Sequence, residues 1–203
     1  MTQPTRRLAL DVGELPTFGF GHSSLLWWAT MCMIAIEGMV FALTITAYLY
    51  LKGRVPHWPD GVGVPALKWG TVNVVIMIVS LVPNQLTKRA AERFDRPGVQ
   101  LWMSICVLFA AAFTAVRFLE FTTLNVRWDT NAYGSITWTL LGLHTTHVLT
   151  DLLDSIVLAA IMFIGPVDEH RFVDVSENAF YWYFVVLSWL PIYGVLYFLP
   201  RLV

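Results

Sequence analysis

Hydrophobic positions along this chain gather into five long runs, at about 24–51, 70–92, 99–124, 135–164 and 177–199, parted by short polar stretches. The first run, SLLWWATMCMIAIEGMVFALTITAYLYL, is broken by one charge, Glu37, and at ~1.5 Å per residue it exceeds a ~30 Å hydrocarbon core. Trp27 and Trp28 near one end, with Tyr48 and Tyr50 near the other, suit the two interfacial aromatic belts. The following KGRVPHWPDGVGVPALKW holds too many Pro and Gly residues for a helix and reads as a loop. The second run, TVNVVIMIVSLV, is short for a span, so one helix is expected to bend near Pro83 and continue as a basic, amphipathic stub, PNQLTKRAAERFDR, closed by Pro97-Gly98. The third carries Arg117 and Glu120 near its end, and the fifth has Pro191 as an expected kink. The pattern predicts an all-α integral membrane protein, a bundle of five transmembrane helices forming one domain at 24–203, without repeats or low-complexity segments.

Composition agrees with that pattern. The 203 residues are 57% hydrophobic and 13% charged, with a mean hydropathy of +0.62. Soluble domains average about 25% charged residues, so a water-soluble form could not hide this much apolar surface. The net charge of −1 points to neither nucleic acid nor an acidic ligand. Cys32 and Cys106 lie in apolar runs without CxxC spacing and read as packed thiols. The N-terminal residues 1–23 mix charges, prolines and glycines without a signal-peptide core, which predicts a retained tail lying on the cytoplasmic surface. Basic residues divide as Arg6, Arg7, Lys88, Arg89, Arg93, Arg96 and Arg171 on one side, against Lys52, Arg54, Lys68, Arg127 and Arg201 on the other. The dense Lys88–Arg96 cluster places the N-terminus in the cytoplasm and the C-terminus outside.

Candidate chemistry concentrates in the fourth run, NAYGSITWTLLGLHTTHVLTDLLDSIVLAAIMF. His144, His147, Asp151 and Asp154 follow steps of three, four and three residues, a single stripe on a helix. Ionisable groups at membrane depth are costly and face a protein interior, a polar cavity or a partner. Three donors in HxxHxxxD order could ligate a metal, which would make the chain a freestanding membrane metalloenzyme. No other helix offers a second set of ligands, and His22, His57 and His170 read as loop or tail residues. The alternative is a histidine–carboxylate network tying helices together, helped by Thr145, Thr146 and Thr150. Glu37 sits about 20 Å from the cytoplasmic end of the first helix, and Asp151 lies at a similar depth, so the two could meet. A carboxyl there exchanges protons or contacts lipid, or else it is a protonated acid bonded to a neighbouring helix. Arg117 and Glu120 read as a local ion pair snorkelling to the interface, or as a site for a lipid headgroup or a neighbouring subunit. Tyr181, Trp182, Tyr183, Phe184 and Trp189 make the last helix strongly aromatic, with part of its surface expected against lipid or another subunit. No phosphate-binding loop, Ser/His/Asp arrangement or paired-carboxylate hydrolase pattern is present, so no catalytic residues are assigned.

These residues together resemble the subunit III family of haem–copper oxidases, the family of cytochrome c oxidase subunit III. The family's mid-membrane glutamate helix and WP-containing loop are matched by IEGMVFALTITAYLYLKGRVPHWP, with Glu37 at the glutamate position. Its Q-x-x-E-aromatic motif is matched by Arg117 to Phe121, its AYGS segment by Ala132 to Ser135, and its G-F-H-x-x-H-V motif by GLHTTHV with His144 and His147 in register. YWYFVVLSW, Tyr181 to Trp189, echoes the family's YWHFVDVVW. The resemblance runs from Ser24 onward and is to the short, five-helix bacterial form. Departures are Arg117 for Gln, Tyr183 for His, Val186 for Asp, and Asp151 where glycine is usual. Asp154, like Asp151, is an addition to the family pattern.

The resemblance implies an accessory, non-redox subunit of the bacterial inner membrane with no cofactor of its own, haem and copper being held by partner subunits. Implied partners are the haem-bearing subunit I, subunit II, a cytochrome c donor and bound phospholipid. Glu37, His144 and His147 would belong to a polar network beside that lipid, supporting proton uptake during oxygen reduction. A quinol oxidase or a nitric oxide reductase is the alternative host complex.

Overall fold

The computed structural model describes residues 18–59 and 61–202. The expected N-terminal tail falls outside the described residues up to position 17; Gly21–Ser23 form a short 3₁₀ turn before the first helix. Five long helices follow: α1 (Leu25–Lys52), α2 (Leu67–Glu92), α3 (Arg96–Thr122), α4 (Ala132–Ile164) and α5 (Glu169–Tyr193), which runs on through a π-helical turn at Gly194–Phe198 and a last turn at Leu199–Arg201. Each is long and apolar enough to cross a membrane. The chain is a multi-pass, all-α membrane protein.

The helix starts have local causes. Ser24 Oγ accepts from Trp27 N (3.2 Å) at α1, Asp95 Oδ1 from Gly98 N (3.2 Å) at α3, and Asn131 Oδ1 from Gly134 N (2.7 Å) at α4. Each occupies one of the amide groups a helix start leaves unbonded. Two boundaries differ from the hydropathy pattern. α5 begins at Glu169 rather than near 177, because EHRFVDVSE is amphipathic: Phe172, Val173, Val175 and Ser176 are buried, whereas Glu169, His170 and Arg171 are exposed. The stretch beyond Pro83, expected as an emergent basic stub, stays in the bundle. Asn84, Thr87, Ala90 and Ala91 are buried, and the two alanines join Val99, Met103, Leu158, Met162, Phe172 and Val175 in an apolar cluster near the α2–α3 turn. Helix α2 continues through Pro83. After Pro191, which cannot donate to the preceding turn, α5 widens into its π-helical turn.

Helix α2 packs most extensively on α3 and next on α5, whereas α1 lies against α4 and α5. α1 is therefore the outlying helix: Leu25, Met33, Ile36, Met39 and Leu43 are exposed, and its buried residues are Phe41 and Tyr48. Cys32, expected as a packed thiol, is exposed on α1, and Cys106 is half-buried on α3. The larger apolar cluster joins Phe41, Tyr48, Met77, Phe113, Leu140, Leu141, Trp182, Trp189 and Tyr197. Trp58 folds back from the α1–α2 loop, donating its indole N–H to Tyr48 Oη (2.9 Å) and meeting Tyr133 edge-on.

Polar side chains stitch α2 to its neighbours. Trp182 Nε1 donates to Ser80 Oγ (2.9 Å) and Asn84 Nδ2 to the Ala179 carbonyl (2.8 Å). Interhelical bonds of this kind contribute about 0.6 kcal/mol each on average in a bilayer, so packing remains the main cohesion. Gly70 supplies one indispensable gap, since a Cβ there would lie 2.7 Å from Tyr197 Cζ. Gly70→Ala is expected to push the Tyr197 ring away and cost about 1–3 kcal/mol, measured as a lower thermal midpoint of the purified protein. An unchanged midpoint would show that the ring can move freely.

Candidate functional site: a membrane-depth cleft and a polar seam

Because α1 diverges from α2 and α3, its N-terminal half and the facing halves of α4 and α5 enclose an open cleft of about 650 Å³. Glu37, Thr30 and Met33 line it from α1, Thr150, Asp151 and Asp154 from α4, and Arg171, Asp174, Glu177, Asn178 and Tyr181 from α5. Glu37 and Asp151, which could meet if α1 and α4 pack together, both line this cleft, from α1 and α4 respectively. Tyr181 Oη donates to Glu37 Oε2 (2.7 Å). The other carboxylate oxygen lies 3.7 Å from His147 Nε2, and His147 Nδ1 is 2.7 Å from the Leu143 carbonyl.

The four-residue stripe on α4 therefore serves several surroundings. His144 points away from the cleft, fully buried, with Nε2 3.0 Å from the Val185 carbonyl and its ring 5.0 Å from that of Trp189. His147 faces Glu37. Asp151 and Asp154 share Asn178, whose Nδ2 donates to Asp154 Oδ2 (3.0 Å) and lies 3.4 Å from Asp151 Oδ1. Among the described residues no three His, Cys, Asp or Glu side chains converge on one point suited to a metal ion. The HxxHxxxD spacing puts its donors on one side of a helix, but each turns to a different protein partner. Asp151 also borders a second, nearly closed cavity with room for about one water, together with Asn84, Thr87, Cys106 and Asn178. Asp151 and Asn178 thus stand between the cleft and the α2–α3 interior.

A separate polar knot lies in the other half of the bundle. The sequence reads Arg117 and Glu120 as a local ion pair snorkelling to the interface, or as a site for a headgroup or a neighbouring subunit; the pair is present but lies inside the chain, with side chains 0% and 2% exposed. Arg117 Nη1 donates to Glu120 Oε2 (2.8 Å), Asn73 Nδ2 donates to the same oxygen (2.7 Å), and Tyr197 Oη donates to Glu120 Oε1. The guanidinium carbon sits 3.9 Å from the Trp189 ring centroid and 4.8 Å from that of Phe113, and its Nε and Nη2 are buried without hydrogen-bond partners. Snorkelling fails here because the side chain is walled in by Phe113 of its own helix and Trp189 of α5, and ring faces replace water around the cation. Tyr197 also links outward, as Arg201 donates to its carbonyl and to that of Pro65.

Sequence reasoning did not single out Asn73, Ser80, Asn84, Glu177, Asn178 or Tyr197. The α2 residues carried a signal, since Asn73, Ser80, Asn84 and Thr87 recur at helical spacing through an apolar run. Tyr197 carried none, being one of several aromatics near the C-terminus.

Comparison with known proteins places this geometry. A cytochrome c oxidase subunit 3 from Synechocystis is 27% identical over 96% of this chain and 87% of its own length. One from Corynebacterium diphtheriae is 27% identical over 98% of the chain and 95% of its own length. A cytochrome bo(3) ubiquinol oxidase subunit 3 from Pseudomonas aeruginosa is 25% identical over 96% and 90%. Residues 29–200 match the family model described as cytochrome c oxidase subunit III, and the chain belongs to that family.

Proposed function

We propose that residues 24–203 act as one transmembrane unit, the accessory subunit III of a terminal haem–copper oxidase in the bacterial inner membrane, with the N-terminus cytoplasmic and the C-terminus outside. In this role the chain braces the haem-bearing subunit I, holds phospholipid in the α1–α4–α5 cleft and supports proton uptake during oxygen reduction. Haem and copper belong to the partner subunits, with subunit II and cytochrome c completing the electron path. The observation that carries the reading is the cleft itself: an apolar-walled opening at membrane depth in which Glu37, hydrogen-bonded to Tyr181 and facing His147, is the titratable group on α1. Glu37, His144, His147, Asp151 and Asp154 form the polar and proton- or lipid-associated set. Arg117 and Glu120 brace α3 against α2 and α5.

Affinity purification of the chain from its native membrane is expected to bring down a large haem-bearing subunit together with phospholipid. A chain recovered alone, without haem in its eluate, would overturn the assignment. The ubiquinol oxidase relative supports a second reading in which the electron donor is a quinol; turnover of the purified complex with cytochrome c against quinol separates the two. The freestanding metalloenzyme is tested on the same material. His144→Ala is expected to leave metal content per complex unchanged, because this imidazole is committed to the Val185 carbonyl; loss of one stoichiometric metal would reverse that conclusion.

A further inference from the structure

The short segment before α1 is fastened at both of its ends. Towards α1, Ser24 N donates to the Gly21 carbonyl (3.1 Å), Ser23 Oγ to the Phe20 carbonyl (3.3 Å) and Trp28 Nε1 to the His22 carbonyl (3.0 Å). Gly21, at φ +73°, takes the left-handed conformation that lets the chain reverse there. Beyond that reversal, Phe18 lies 4.4 Å from the His170 ring at the start of α5, and Phe20 meets Phe94 of the α2–α3 turn edge-on at 5.5 Å. Phe94 in turn meets Phe172 of α5 at 5.4 Å, and Phe20 packs on the apolar cluster at that turn. Phe94 itself has φ +57°, a left-handed conformation that is costly for any residue with a side chain. Such a backbone persists where its surroundings hold it. Here the rings of Phe20 and Phe172 do so.

We infer that residues 18–24 form an aromatic clasp that holds the N-terminal half of α1 in place, and that Phe20 and Phe94 are positioning residues for Glu37. This rests on the proposed part of Glu37 in proton uptake and adds what sets its geometry. At its far end α1 is anchored by Tyr48, 0% exposed, whose ring meets those of Trp58 and Tyr133. Along the cleft it is thinly packed, with Trp27 stacked on Phe180 of α5 at 5.8 Å. A stack on α5 by itself leaves this half of α1 free to swing towards or away from α4; a second fixed point, on the α2–α3 turn, removes that freedom. With the pivot at Tyr48, Glu37 lies about 16 Å along the helix and Leu25 about 34 Å, so a swing of ~2 Å at the helix start moves Glu37 by ~1 Å. That shift takes the 2.7 Å bond from Tyr181 Oη out of hydrogen-bond range and alters the 3.7 Å approach of His147. Neither Phe20 nor Phe94 lines the cleft, so both act through α1.

The test reads distance and function together in the purified oxidase complex. Spin labels on Cys32, exposed on α1, and on Leu153→Cys, at an exposed position of α4, report their separation by pulsed electron paramagnetic resonance in a Cys106→Ser background. Phe20→Ala is expected to shift or broaden that distance distribution by about 2 Å and to slow proton uptake towards the rate of Glu37→Gln. Phe20→Tyr keeps the ring and is expected to restore both. Phe94→Gly removes a ring while relieving the left-handed backbone, and is expected to reproduce the Phe20→Ala result in a complex that still assembles. The double variant Phe20→Ala/Glu37→Gln is expected to be no slower than Glu37→Gln, since two changes acting through one group do not add; a general loosening of the bundle would add. An unchanged distance distribution in both ring-deleted variants would overturn the clasp, and full additivity with Glu37→Gln would overturn the positioning role. If Glu37→Gln left proton uptake intact while the distances still shifted, the proton role of Glu37 would fall and the clasp would stand.

Discussion

Glu120→Ala is expected to be the most damaging single substitution in this chain. Glu120 accepts from Arg117, Asn73 and Tyr197, so it joins α3 to α2 and to the C-terminal turns of α5. Removing it strands a guanidinium that is 0% exposed and already has two nitrogens without hydrogen-bond partners. Removing one member of a buried pair typically costs about 3–5 kcal/mol, a large part of the roughly 5–15 kcal/mol that separates folded from unfolded states. The measurement is the yield and thermal midpoint of the purified complex; a variant as stable as the parent would show that Arg117 finds another partner. Arg117→Met combined with Glu120→Leu is expected to recover most of the loss, because two apolar chains of similar volume leave no buried charge. That recovery separates the price of an unpaired charge from the worth of the pair.

Glu37→Gln is expected to act on function rather than on folding. Its carbonyl oxygen can still accept from Tyr181, and the side chain is a quarter exposed to the cleft, so the thermal midpoint should fall by no more than about 1 kcal/mol equivalent. What disappears is a group that can take up and release a proton beside His147. Slower proton uptake or a shorter working life of the oxidase, with haem content unchanged, is the expected outcome. Tyr181→Phe supplies the control, since it removes the hydrogen bond and keeps the acid. If Glu37→Gln leaves turnover and durability intact while Tyr181→Phe impairs them, the carboxyl is only a packing partner.

The five spans were legible in the chain because apolar side chains must cover a helix that faces lipid on one side and other helices on another. The start of α5 was not, because its first turns bury Phe172, Val173 and Val175 on one side and line the cleft with Arg171, Asp174 and Glu177 on the other, an amphipathic pattern that average hydropathy hides. Glu37, His144, His147, Asp151 and Asp154 were visible as charges and imidazoles out of place in apolar runs. Their division into a cleft-facing group and a buried histidine was not visible, since helical spacing tells which residues share a side of α4 but not which helix stands opposite each of them.

Composition and periodicity by themselves determined that this is a membrane bundle of five helices with ionisable groups inside its apolar runs; the ordered motifs from Glu37 to Trp189 supplied the family resemblance. Tertiary structure decided what those groups do to one another. Arg117 could reach the surface or be enclosed, and the rings of Phe113 on α3 and Trp189 on α5 enclosed it. The cleft exists because α1 leans on α4 and α5 while standing off from α2 and α3, and no local stretch of sequence encodes that angle. Contacts such as Tyr181 to Glu37 and Tyr197 to Glu120 join residues far apart in the chain; they come from the packing of whole helices, which is where the chemistry of this subunit was settled.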